Sequence, residues 1–295
     1  MTLLLVNHHY VHPRAGEGAI FPVTVDEMIL RAKQLERDGY HYLNNFREYY
    51  EMDSKKKEAK FFHYTFDDGL KEQYESHEAL ASAGYGPTYF ISTNKYLTGN
   101  VDIVHLIHYV RHKYDDKKIL EVLDLKSFDI ALLQSKATAQ YRYDTKEAAL
   151  IKYILNFVMK EHEVAQLLQR LLTDECHSYF DELYMTDQQI VELAADGRIG
   201  SHSHNHLALG TLLHSELRQE LALSLNYFET KGIQVDAISY PYGGPSAVPD
   251  KDIVHDYFKF GITMNRDINT RETDRLLLNR IDTNEIKLGL HQNYG

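Results

Sequence analysis

The chain has 295 residues, 43% hydrophobic and 25% charged, which suits a soluble α/β protein with a sizeable buried core. Its net charge is −11 and its one basic run is Lys55-Lys56-Lys57, which argues against nucleic acid or an anionic membrane as partner. Cys176 is the single cysteine, so no intrachain disulfide can form; no stretch is apolar enough to span a bilayer, no secretory leader is evident, and the expected compartment is the cytoplasm.

Residues 3–6 read as a first strand, followed by a His-rich loop over 7–12. Thr24 with Glu27 forms a capping-box pattern that starts a helix over 25–38, stopped by Gly39. Residues 55–60 are a charged connector. The β-prone run 61–66 then delivers Asp67 and Asp68 to a strand's C-terminal end. A helix over 71–83 and a strand over 88–92 follow. Residues 101–185 lack Gly and Pro and are charged and helical in pattern, with candidate helices at 102–114, 117–123, 146–160 and 162–173; they read as a helical insertion. Thr186 caps another helix, and 198–201 is a short strand leading directly into His202. A helix over 215–231, a strand over 235–239 and strands near 260–264 and 276–281 complete the chain. Strands that alternate with helices predict parallel βα units, whose chemistry gathers at the C-terminal strand ends.

Three strand ends carry suggestive residues. His63-Tyr64-Thr65-Phe66-Asp67-Asp68-Gly69 ends in paired carboxylates, and His202-Ser203-His204-Asn205-His206 is a histidine cluster. Carboxylate oxygen and neutral imidazole nitrogen are the donors of a hydrolytic divalent-metal site, and a second carboxylate can remain off the metal as a base. Spacing leaves open which two of His202, His204 and His206 would ligate. Tyr240-Pro241-Tyr242-Gly243-Gly244 is a turn able to aim a backbone N–H at an oxyanion. His8, His9 and His12 could line the mouth of such a site, and His291 could act as an acid. His105 and His108 read as structural, and nothing near Cys176 suggests a nucleophile.

Thr65-Phe66-Asp67-Asp68-Gly69 resembles the first motif of the polysaccharide deacetylases (carbohydrate esterase family 4), His202-Ser203-His204-Asn205-His206 the second, and Tyr240-Pro241-Tyr242-Gly243 the third. The likeness covers 1–100 and 186–285, in the manner of members from surface-glycan clusters. It implies one catalytic domain over 1–295, a distorted (β/α) barrel of about seven strands with the helical insertion 101–185 within it, and a divalent metal, most often Zn²⁺. It also implies Asp68, His202 and His206 as ligands, Asp67 as base and the Tyr242 N–H at the oxyanion. Two departures stand out. The family's third motif often has an Arg two residues before the Pro, where this chain has Ser239; Arg280 could supply that charge. The Asp-Trp pair of the fourth motif cannot be complete without Trp, which leaves Asp267 and Asp282 as candidates for its Asp. His291, flanked by Leu288 and Leu290, fits the acid of the fifth motif.

The implied reaction is hydrolysis of an N-acetyl group on a sugar or sugar precursor of surface-glycan metabolism, releasing acetate. His9, Pro241, Gly243 and Arg280 are expected to contact substrate. The alternatives are a deformylase or other amidohydrolase on the same fold, or a non-catalytic carbohydrate-binding homologue.

Overall fold

The strand β1 (Thr2–His8) is buried along all but its first residue. The short β2 (Tyr40–Tyr42) and the long β3 (Lys60–Phe66) both run parallel to their neighbours, with Thr2 and Tyr40 each level with Lys60. Continuous apolar runs such as these are what a parallel sheet covered on both faces requires. The structure is a computed structural model; it describes residues 1–11, 22–53, 58–123, 125–141, 144–172, 176–287 and 289–293. His12, Lys55 to Lys57 and Leu288, which the sequence reading invokes, lie outside them.

β4 (Thr88–Ile91), β5 (Ile199–Ser201), β6 (Ala237–Ser239) and β7 (Phe260–Ile262) extend the sheet, and β8 (Ile281–Asp282) pairs with β1. The order is β7-β6-β5-β4-β3-β1-β8, all parallel, with β2 beside β3. The segment leading into β8 completes the curl. The Leu278 N–H donates to the Gly261 carbonyl at 2.8 Å and the Thr263 N–H to the Leu278 carbonyl at 2.8 Å, while Ile281 pairs with Val6. One segment thus bonds to both ends of the sheet, which curls into a distorted (β/α) barrel of seven strands. The expected strand at 276–281 is regular only over Ile281–Asp282, and β2 was not anticipated.

Helices cover the barrel. Thr24 and Glu27 form the reciprocal cap of Val25–Arg37, and Thr186 caps Asp187–Ala195, as their spacing predicts. The insertion holds the helices Ile103–Lys113, Asp116–Val122, Ile130–Gln140, Lys146–Tyr153 and Glu161–Gln169. Its apolar faces meet in a cluster of their own, including Ile107, Val110, Ile119, Ile151, Val164 and Leu168. The helix expected over 146–160 stops at Tyr153 and continues as a π-helical turn, Ile154–Val158. Many tyrosines are core residues: Tyr49, Tyr64, Tyr89, Tyr227 and Tyr240 are fully buried. No helix among the described residues is long and apolar enough to cross a membrane.

Candidate metal centre and cavity

Asp67 and Asp68 follow β3, His202 to His206 follow β5, and Pro241 to Gly243 follow β6, so three strand ends meet on one rim. Among the described residues, the non-glycine positions with left-handed backbone are Asp68, Ser203, His206 and Tyr242, with φ of 80°, 66°, 55° and 63°. All four sit in these three loops. Such conformations cost of order 1–3 kcal/mol each and persist where the surroundings impose them, as at functional sites. Gly243 also has positive φ, and a Cβ there would lie 2.7 Å from the Met264 backbone nitrogen.

Asp68, His202 and His206 are buried, and their ligating atoms all lie within 4.8 Å of one another. Asp68 Oδ1 is 3.4 Å from His202 Nε2 and 3.2 Å from His206 Nε2, and it accepts no hydrogen bond among the described residues. Tetrahedral ligands at about 2.0–2.1 Å from a metal stand about 3.3 Å apart, so this set fits a divalent ion. His202 donates from Nδ1 to the Ser239 carbonyl at 2.8 Å, which leaves Nε2 as a lone-pair donor towards Asp68. His204 is turned away, its Nδ1 2.9 Å from Thr93 Oγ1. The loop 202–206 is braced by Glu220, which accepts from the His204 N–H at 2.9 Å and from the Asn205 side chain at 2.8 Å. Sequence reasoning did not find Glu220, which lies inside an amphipathic helix with no motif around it.

Asp67 is buried and gripped by Arg280: Nη1 to Oδ1 at 2.9 Å, Nη2 to Oδ2 at 2.7 Å. Burial pushes the Asp67 carboxyl up, but the charge and hydrogen bonds of Arg280, together with His202 and His9, outweigh it and the carboxyl ends at about 2. The same guanidinium donates to Asn7 Oδ1 and to Ser239 Oγ, each at 2.9 Å. His9 stands on the other side, Nε2 3.8 Å from Asp67 Oδ2, with its side chain 42% exposed.

These groups line a cavity of about 650 Å³. Its barrel wall includes His8, His9, Tyr242, Arg280 and Asp282; its other wall is the insertion, through His108, Gln140, Tyr141, Asp144, Lys152 and Asn156. The insertion touches the rim at several places, two of them hydrogen bonds with tyrosine hydroxyls. The Tyr242 hydroxyl donates to Asn156 Oδ1 at 3.3 Å, and Tyr10 Oη meets His108 Nδ1 at 2.9 Å. Burial holds His8 and His108 well below the usual imidazole range.

Other expected site residues lie elsewhere. Pro241 and Gly243 are buried and shape the turn without lining the cavity. Asp267 is exposed, whereas Asp282 lines the cavity. His291 is not brought to the site. It bonds through Nε2 to Asp38 Oδ2 at 2.9 Å, and Asp38 follows the helix Val25–Arg37 just before β2. Tyr40 is level with Thr2, six residues below His8, so this end of the barrel is about 20 Å from the cavity rim. His105, expected to be structural, faces the metal set, its Nε2 3.5 Å from Asp68 Oδ2.

Sequence comparison matches the chain to no family model and to no curated protein. Solved structures do match. A Streptococcus pyogenes deacetylase, PplD, in complex with acetate, is 17% identical, with a TM-score of 0.59 over 100% of this chain and 99% of its own. IcaB from Ammonifex degensii is 14% identical, with a TM-score of 0.56 over 98% of this chain and 96% of its own. A de-N-acetylase from Aggregatibacter actinomycetemcomitans is 13% identical, with a TM-score of 0.56 over 96% of each. This is the polysaccharide-deacetylase fold.

Within that fold, the chain meets one departure from the expected motifs by a substitution in space. Ser239 occupies the position read as the third-motif Arg, and its hydroxyl accepts from Arg280, which arrives from the segment before β8 to reach Asp67.

Proposed function

We propose that this protein is a metal-dependent N-deacetylase that hydrolyses the acetamido group of a sugar, releasing acetate and an amino sugar. The observation that carries the reading is the buried Asp68–His202–His206 set beside an ionised carboxylate, Asp67, in one cavity. A divalent ion, zinc being a common match to this oxygen–nitrogen set, would be held by Asp68 Oδ1 and the two Nε2 atoms and would polarise the amide carbonyl and acidify water.

The chain's own groups account for the proton movements. Asp67, kept charged by Arg280, takes the proton from the attacking water. The Tyr242 backbone N–H is assigned to the developing oxyanion. Of the described imidazoles lining the cavity outside the metal set, His8 and His108 are kept neutral by burial, which leaves His9 to protonate the departing nitrogen. The insertion wall supports a substrate entering as a single sugar or chain end, on a nucleotide, lipid or glycan carrier that stays outside.

The test is metal analysis of the wild type and of a His202→Ala/His206→Ala variant, with an acetate-release screen over N-acetylated sugars. About one divalent ion per chain, lost in the variant, with acetate released, supports the reading. A wild type that binds no metal after zinc is supplied sinks it.

A further inference from the structure

We infer that His105, on the insertion helix Ile103–Lys113, is a positioning residue for the metal centre: it holds the outer oxygen of Asp68 so that only the inner one is presented to the ion. The inference rests on the metal set of the proposed function, but not on the substrate or the bond cleaved.

The hydrogen bonds around the ring point to one tautomer. The Asp102 backbone N–H donates to the Tyr184 hydroxyl oxygen at 3.1 Å. His105 Nδ1 lies 2.5 Å from that hydroxyl, and the hydroxyl proton is assigned to this contact. A neutral imidazole whose Nδ1 accepts carries its proton on Nε2. That nitrogen lies 3.5 Å from Asp68 Oδ2 and has no hydrogen-bond partner among the described residues, while Oδ1 faces His202 and His206. His105 and Tyr184 are buried, at 1% and 5% exposure, so bulk water does not compete for the contact. The two oxygens of Asp68 therefore have separate tasks. With the Nε2 N–H facing Oδ2 and able to close on it when the ion binds, the carboxylate would ligate through one oxygen and leave a coordination position open. Because His105 sits on the insertion and Tyr184 closes it, the seating of the insertion and the affinity of the metal centre are coupled.

The test measures zinc affinity by chelator competition on the full chain, for wild type, His105→Ala, His105→Gln and Tyr184→Phe, with the melting temperature of each apo protein. His105→Ala is expected to bind zinc about 10–100-fold more weakly, the usual size of an outer-shell loss, with little change in apo melting. His105→Gln, whose amide can donate to Oδ2, should recover most of the affinity. Tyr184→Phe, which frees the ring tautomer, should fall between them. Wild-type affinity in both His105→Ala and Tyr184→Phe would overturn the inference. So would a folded His105→Gln as weak as His105→Ala, since that would make His105 a direct ligand. If His105→Ala fails to fold, Tyr184→Phe alone decides. A wild type that binds no zinc is a separate failure, of the metal reading itself.

Discussion

Arg280 and Asp67 meet through two parallel contacts of 2.9 and 2.7 Å, although 213 positions separate them in the chain. Bidentate pairing is specific to the planar guanidinium, and a lysine cannot reproduce it. Arg280→Lys is expected to lower acetate release about 10-fold or more. Weakening the counter-charge raises the Asp67 carboxyl from about 2. The base is then protonated at higher pH, so the acid limb of the rate profile moves up in pH. Arg280→Ala leaves a buried charge unpaired and should cost about 3–5 kcal/mol of stability by denaturant unfolding. Returning the charge from the other strand, Ser239→Arg with Arg280→Ser, should recover part of both losses.

Replacing the base separates metal binding from chemistry. Asp67→Asn keeps the shape but cannot accept the proton of water. It should retain the wild-type metal content and lose about 10²–10⁴-fold in kcat. Metal loss equal to that of His202→Ala/His206→Ala would place Asp67 among the ligands instead.

The two histidines near the chain's ends should behave oppositely. His9→Ala should lower kcat by about 100-fold and change the pH–rate profile. His291→Ala should leave the profile unchanged while lowering stability by about 1–3 kcal/mol, because it strips Asp38 of its partner. Rates and melting curves on the same preparations check both.

That Asp68, His202 and His206 come together was readable because Asp-Asp-Gly and His-x3-His each follow an apolar run, and a parallel βα order places such loops on one rim. The place of His291 was not. His291 matched a position near the C-terminus, but the short turn Leu290–Asn293 docks against the end of the helix Val25–Arg37, and no local pattern announces that contact. That His105, read as structural, also faces Asp68 went unseen for a related reason: its i, i+3 spacing with His108 suits any helix, and its ring bonds to Tyr184, 79 positions away. β2 escaped notice because Tyr40–Tyr42 is three residues long and supported mainly by pairing with β3. The helix Ile130–Gln140 also went unforeseen; among its side chains only Ala137 is buried, so it carries little periodic signal.

Acid sensitivity should trace in part to the core. His63 is fully buried, with Nδ1 donating to the Leu43 carbonyl at 2.7 Å and Nε2 2.8 Å from Thr88 Oγ1. Burial pushes its imidazole down to about 3. The unfolded chain takes up the proton near pH 6.5 and the folded one does not, so stability is whole above that value and falls as pH drops towards 3. Relative to wild type, His63→Gln should lose about 2 kcal/mol less between pH 7 and pH 5, as measured by urea unfolding at each pH.

Barrel closure also sets a schedule. The segment that bonds β7 to β1 carries Arg280, so the ring closes and the counter-ion of Asp67 arrives in the same event. At about 5–20 residues per second on the ribosome, the 213 positions between the pair take about 10–40 s to make. For that interval Asp67 lacks the Arg280 guanidinium and cannot be buried cheaply, although seven of the eight strands have by its end been made. A nascent chain of this protein therefore leaves Asp67 without its counter-ion until the segment before its last strand is out, and under the proposed function hydrolysis would begin only on a finished barrel.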